Sequence, residues 1–262
     1  MRDLRILLVQ TRFAIIGATR NPRVMVFGTA FPVVLLVLFN SIFVSGKDRT
    51  TTFAGGTIDA ASYFTAGLCA YAIMLQTFTS ICVAVTTQRE SGQLKRLRAT
   101  PMRPWTFIAS QVLRGLVLVV AMVVALFAIG VIFYGVKLHA AGIVGIAVYV
   151  VLGTATLATL GLAMTIFTPT PDTASTVGPF AAVILSFISG VFIPVASLPS
   201  WLESIGKIFP LYHLAEGLQR AVGSGGGTGL TPGNVLVLLG WTAAGLLLAV
   251  RRFRWEPQSA RG

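Results

Sequence analysis

The side chains best suited to chemistry are few, and most of them crowd into one run. From Thr87 to Trp105 the chain carries Arg89, Lys95, Arg96, Arg98 and Arg103 against the single acid Glu90. Within it Leu94 and Leu97 share a helical face at i and i+3, Pro101 stops that helix, and Trp105 suits a headgroup layer. Two leucines inside a charge run are more than a topology signal needs, so the segment reads as a docking helix. Elsewhere reactive groups are scarce. His139 and His213 have no second ligand at metal spacing and read as surface or interfacial residues. Cys69 and Cys82 share one apolar run, which suits packing and neither a secreted disulfide framework nor a zinc site. No H-E-x-x-H, G-x-S-x-G or carboxylate pair is present, and neither Gly46-Lys47 nor Gly206-Lys207 has the glycine and Ser/Thr that a P-loop requires. The chain offers no ATP chemistry of its own, so any fuel for transport is spent by a partner.

The elements that hold these residues are membrane helices. Hydrophobic residues make up 55% and charged residues only 11% of 262, against about 25% charged in soluble domains. The formal charge of +12 does not mark a nucleic-acid binder, because 14 of the 20 basic residues lie in three segments beside apolar runs: 1–23, 87–105 and 251–262. Residues 1–23 carry Leu4, Leu7, Leu8, Thr11, Ile15 and Ala18 at helical spacing with Arg5 and Arg12 on the flank, the pattern of an amphipathic helix lying in the interface against lipid. No cleavable leader is expected, since charges recur at Arg12, Arg20 and Arg23 before any long apolar run. Six spans are expected in a domain over 24–250, at about 24–44, 63–87, 107–133, 142–167, 177–195 and 232–250, with Pro32 kinking the first. A basic tail occupies 251–262.

Loop charge sets the orientation. The 88–105 loop belongs in the cytoplasm, which places both termini inside and 45–62, 134–141 and 196–233 outside. The last of these reads as two short external amphipathic helices between spans five and six. Ser200 and Glu203 suggest a capping box for one, and Pro210 opens the other, with Leu211, Leu214, Leu218 and Val222 on one face. Within the spans Arg114 is expected to snorkel to the cytoplasmic side, and Gly153, Ala155, Thr156, Thr159 and Gly161 are expected to pack helices.

The run Arg89-Glu90-Ser91-Gly92-Gln93-Leu94-Lys95-Arg96-Leu97-Arg98-Ala99-Thr100-Pro101 resembles the R-E-x-G-x-L-x-x-L-x-x-T-P signature of membrane subunits in the ATP-binding-cassette type-2 exporter family. Gly190-Val191-Phe192-Ile193-Pro194, Leu198-Pro199, Ile205, Pro210-Leu211 and His213-Leu214 resemble the family's second stretch, and the likeness leans to drug-resistance permeases of the daunorubicin-exporter type. The resemblance implies an all-α membrane protein acting as a half-transporter. Two copies, identical or closely related, form the path, and each docks a separate P-loop subunit that binds ATP and Mg. It also implies that the 89–101 segment is the cytoplasmic coupling helix, with Arg89, Glu90, Gly92, Leu94, Leu97, Thr100 and Pro101 contacting or shaping the surface that faces the ATPase. Lys95 and Arg96 depart from relatives, which often carry an acid after the leucine. The expected role is export of an amphiphilic or lipid-like substrate, such as a drug, polyketide or glycolipid, across a bacterial cell membrane, with no cofactor or catalysis in this chain. A non-transporting membrane scaffold is the competing reading, and an intramembrane enzyme is disfavoured by the missing nucleophile, base and metal.

Overall fold

The computed structural model describes residues 9–13, 15–17, 28, 30–43, 50–53, 55–98 and 104–252, with backbone alone at 97, 98, 104, 105 and 252. Helices dominate. In chain order they are α1 (Phe31–Phe43), α2 (Ala60–Met74), a π-helical segment (Leu75–Thr79), α3 (Ser80–Glu90), α4 (Gln93–Arg98), α5 (Pro104–Tyr134), α6 (Ala140–Met164), α7 (Pro171–Ile188), α8 (Ser200–Gly206), α9 (Pro210–Gly223) and α10 (Pro232–Arg252). Five stretches among the described residues are long and apolar enough to cross a membrane: Ala60–Glu90, Thr106–Tyr134, Ala140–Met164, Pro171–Ile188 and Pro232–Arg251. The rod Ala60–Glu90 combines α2, the π segment and α3, and every residue of α2 and of the π segment is buried among the other helices. A helix apolar on all sides belongs inside a bundle rather than at its lipid face. Around it α5, α6, α7 and α10 alternate buried and exposed positions, with Val124, Ile132, Val144, Phe180 and Leu236 among the exposed apolar residues.

Two ends can be told apart by contacts alone. At one end Gln10 meets Ser110 (3.4 Å), and Ala249 near the end of α10 shares a buried cluster with Phe107 and Leu94. At the other, the tip of α9 lies under a β-hairpin, Thr50–Phe53 with Gly56–Asp59, paired Thr50↔Asp59 to Phe53↔Gly56. There the Arg220 guanidinium sits 6.0 Å from the centre of the Phe53 ring. α1 runs antiparallel to α2: Gln76 donates to the Gly28 carbonyl (3.0 Å), Phe31 meets the Tyr71 ring edge, and Phe43 stacks on Phe64.

Several sequence expectations need correction. The 45–62 loop contains the hairpin, which the charge count hid and which a β-branched run next to Gly55-Gly56 favours. The helix expected at 177–195 is Pro171–Ile188. Thr170 caps it by accepting from the Thr173 amide (3.2 Å) and Pro171 takes the first turn, while Gly190 at φ 73° ends the apolar run before Pro194. No capping box forms at Ser200. Pro199 holds the cap position, its carbonyl accepts from the Glu203 amide (3.1 Å), and the Glu203 side chain turns outward to Lys207 (2.8 Å). Of the first span expected at 24–44, helix is described from Phe31 to Phe43. Leu4, Leu7, Leu8, Thr100, Pro101 and most of the 251–262 tail lie outside the described residues, as does the side chain of Leu97.

Candidate coupling elbow and the helices behind it

The run singled out in the sequence folds as an elbow between two helices. α3 ends as the Ser91 amide returns to the Thr87 carbonyl (3.0 Å) and the Gly92 amide to that of Arg89 (3.1 Å). Gly92 then adopts φ 71°, a left-handed conformation that a side chain disfavours, and its carbonyl accepts from the Arg96 amide (3.2 Å) to start α4. This turn sends α4 away from the axis of α3. Its sides differ sharply. Leu94 is 0% exposed and belongs to one buried cluster with Ile81, Val85, Phe107, Ala158, Leu162 and Ala249, so α4 is seated on a core that α3, α5, α6 and α10 build together. Ser91, Gln93, Lys95 and Arg96 face outward.

Arg89 also points inward, at 2% exposure. One terminal nitrogen donates to the Thr165 carbonyl (2.8 Å), the other to those of Thr168 (2.8 Å) and Pro169 (3.0 Å), and Nε meets Glu90 (3.1 Å). These carbonyls belong to the end of α6 and the turn into α7, where Pro169 and Pro171 supply no N–H. Arg89 therefore caps α6 with a planar fork of donors, which lysine would not reproduce. Thr168 adds a hydroxyl contact to Thr86 (3.3 Å). Of the residues proposed for this site, the structure brings Arg89, Glu90, Gly92 and Leu94 together, and it leaves Arg89 and Leu94 able to shape the elbow but not to touch a docked protein. The acceptors on 165–169 were missed in the sequence, although two prolines following a helix signal unpaired carbonyls.

Behind the elbow the central rod changes winding. The π segment meets a glycine from each of four neighbours. A Cβ at Gly28 would lie 3.0 Å from Gln76, at Gly115 of α5 3.1 Å from Thr77, at Gly161 of α6 2.6 Å from the Phe78 carbonyl oxygen, and at Gly178 of α7 3.2 Å from Thr79. A π turn widens the helix, and these glycines leave room for it, most tightly at Gly161, where a Cβ would run into backbone. The expected packing set in α6 behaves alike. Gly153 meets Leu214, Thr156 bonds Thr242 (2.8 Å) and the Leu238 carbonyl (3.1 Å), and Gly245 of α10 fits against Thr159.

At the far end Gly190-Val191-Phe192-Ile193-Pro194 forms a non-helical stretch pinned to the rod. The Gly190 carbonyl accepts from the Tyr63 hydroxyl and from Gln219 (3.3 Å), and Phe192 packs among Phe39, Tyr71 and Phe187. His213, expected to be a surface or interfacial residue, is half-buried and links α9 to α10 and to the end of α8: Nδ1 contacts Asn234 Oδ1 (2.8 Å) and Nε2 the Lys207 carbonyl (2.8 Å). Among the described residues no group of three His, Cys, Asp or Glu could hold a metal ion.

Known proteins share this arrangement of sequence. YvfS of Bacillus subtilis (strain 168), whose name describes it as a transport permease, is 20% identical over 188 residues, covering 72% of this chain and 75% of that protein. The family model of the ABC-2 type transporter matches residues 6–222, which takes in the N-terminal turns, the elbow and the pinned stretch at Gly190. With most of its length inside that match and its apolar helices arranged around a buried rod, this multi-pass membrane protein belongs to the ABC-2 type transporter family.

Proposed function

We propose that the chain is the permease subunit of an exporter whose ATP-binding subunit is a separate protein docking on the outer face of α4, and that a second permease copy completes the path. The observation that carries this is the two-faced elbow. Its outer residues Ser91, Gln93, Lys95 and Arg96 are free to meet a partner, while Leu94 and Arg89 fasten its inner side to α3, α5, α6, α10 and the α6–α7 turn. A push on α4 is thereby distributed to most of the bundle at once. Closure of the partner around ATP and Mg supplies that push, and α3 swings against α2 at the π segment, where four glycines offer smooth surfaces. This chain contributes the path and no bond-breaking chemistry. Its spans offer apolar and aromatic side chains, which suits an amphiphilic or lipid-like cargo.

Six crossings fit the two ends. Residue 10 and residue 249 lie at the elbow end, so the number of crossings between them is even. Five long helices alone would leave them apart, and α1, running antiparallel to the rod, supplies the sixth. The basic elbow then faces the cytoplasm of a bacterial cell, with both termini inside.

The test is whether a P-loop ATPase, sought first in the reading frames adjacent to this chain's own, co-purifies with the native chain and with Lys95→Glu/Arg96→Glu. Both positions are exposed, so the fold survives the change. We expect the ATPase to be retained by the native chain and lost, at least tenfold, from the double variant, together with cargo-stimulated ATP turnover in vesicles. Equal retention and turnover in the two proteins overturns docking at α4, and a chain that associates with no ATPase favours the scaffold reading.

A further inference from the structure

Arg114 stands one turn above Ser110 on α5, and the expectation that it snorkels out to the membrane surface is not met: it is 4% exposed, inside the protein. Neither Nε nor Nη2 has a hydrogen-bond partner among the described residues. A guanidinium does not shed its proton to escape such a setting. Its counter-charge is not found among the described carboxylates. Asp59 caps α2, Glu90 pairs with Arg89, Glu203 with Lys207, Glu216 with Arg220, and Asp172 lies in the first turn of α7. Other unspent polar groups lie close along the same helix. Gln111, one turn before Arg114, is buried with Oε1 unpaired, and Gly115, the next residue, packs near Thr154, whose buried hydroxyl is unpaired too. Ser110 meets Gln10, so the N-terminal turns run beside this part of α5, and Thr11 there is buried with its hydroxyl unpaired.

Depth narrows the class of ligand. α5 has 31 residues, roughly 46 Å at the helical rise, more than a bilayer core requires. Its uninterrupted apolar run, Leu116–Tyr134, spans roughly 28 Å and by itself fills that core. Arg114 therefore lies just below the hydrocarbon edge on the elbow side, level with lipid phosphates. A guanidinium buried in the protein at that depth with no partner for Nε or Nη2 among the described residues calls for an anion, and its fork matches phosphate oxygens two at a time.

We propose that Arg114, assisted by Gln111, binds the phosphate of an amphiphile that enters from the elbow-side leaflet beside the N-terminal turns. The site is independent of which protein docks at α4. The chemistry is shared by a resident phospholipid and by a phosphate-bearing cargo, and the experiment separates them. The purified chain is equilibrated with vesicles of equimolar phosphatidylglycerol and phosphatidylcholine and analysed by native mass spectrometry. In parallel its unfolding temperature is followed with dodecyl phosphate and with inorganic phosphate.

The native chain should retain phosphatidylglycerol with a preference that falls at least tenfold in Arg114→Gln, and dodecyl phosphate should raise its unfolding temperature while inorganic phosphate does not. Retention from vesicles assigns a resident lipid. A response to dodecyl phosphate without such retention, again dependent on Arg114, assigns a cargo site. Should Arg114→Gln not fold, Arg114→Lys and Gln111→Ala carry the test with a weaker preference than native. Equal behaviour of native and variant chains in both assays, or protection by inorganic phosphate as strong as by dodecyl phosphate, overturns the site.

Discussion

At the scale of single residues, the two anchors of the elbow do different work. Arg89 stabilises three carbonyls at the α6–α7 turn with charge-assisted hydrogen bonds at 2.8, 2.8 and 3.0 Å, each worth about 1.5–3 kcal/mol when one partner is charged. Arg89→Ala should therefore destabilise the purified chain by about 3 kcal/mol or more. Arg89→Lys should recover little of that, because one ammonium cannot reach both sides of the turn. A thermal-unfolding series in detergent checks this, and native-like stability of Arg89→Lys contradicts the fork. Leu94→Ala empties a fully buried site shared by four helices, with an expected cost of about 2–5 kcal/mol, whereas Lys95→Ala, exposed on the same helix, should change stability by less than about 0.5 kcal/mol. Equal losses at 94 and 95 would mean that α4 is not seated as described. The motif letters were legible in the sequence, but their directions were not. Arginine beside glutamate in a basic loop looks like surface, and only the carbonyls of residues 165–169, distant in the chain, turn it inward.

Among the elements, hydropathy located the long helices well because a bilayer demands the same apolar length wherever it is crossed. It failed where backbone chemistry decides. α7 starts at Pro171 because Thr170, Pro171 and Thr173 build a cap, a polar signal that an apolar window discards. The helical stripe Leu211, Leu214, Leu218 and Val222 was readable and is buried along α9. The π segment was not readable, since Leu75–Thr79 looks the same in either winding and the glycines that pack against it lie elsewhere in the chain. Those glycines give the prediction at this scale. Gly161→Ala would place Cβ 2.6 Å from the Phe78 carbonyl oxygen, while Gly240→Ala on α10 meets nothing within 4 Å. Alanine in an exposed helix position gains up to about 1 kcal/mol over glycine, so Gly240→Ala should be neutral or stabilising. Gly161→Ala should cost about 1–3 kcal/mol through overpacking. Unfolding temperatures of the pair decide it, and the packing at the π segment is refuted if both rise together.

For the whole molecule the question is which end faces which compartment, and the structure makes the experiment cleaner than the sequence did. Both native cysteines are buried, so background reaction with an impermeant thiol reagent is low. Gly226, an obvious probe position in the glycine-rich stretch before α10, has φ 125° and resists a side chain, whereas Gly227 meets only ordinary contacts at 3.7 Å or more. Gln93 on α4 and Thr57 in the hairpin are exposed. The hairpin packs on α9, with Phe53 beneath Arg220, and the chain from Ser224 to Leu230 continues from that helix. Gly227→Cys and Thr57→Cys must therefore respond alike, and Gln93→Cys must respond oppositely. In whole cells the first two should be labelled at once and Gln93→Cys only after permeabilisation, as the proposed topology with the Arg-rich elbow inside requires. Inverted labelling would put the elbow outside, away from every source of ATP. A split response of Thr57→Cys and Gly227→Cys would instead break the pairing of hairpin and α9.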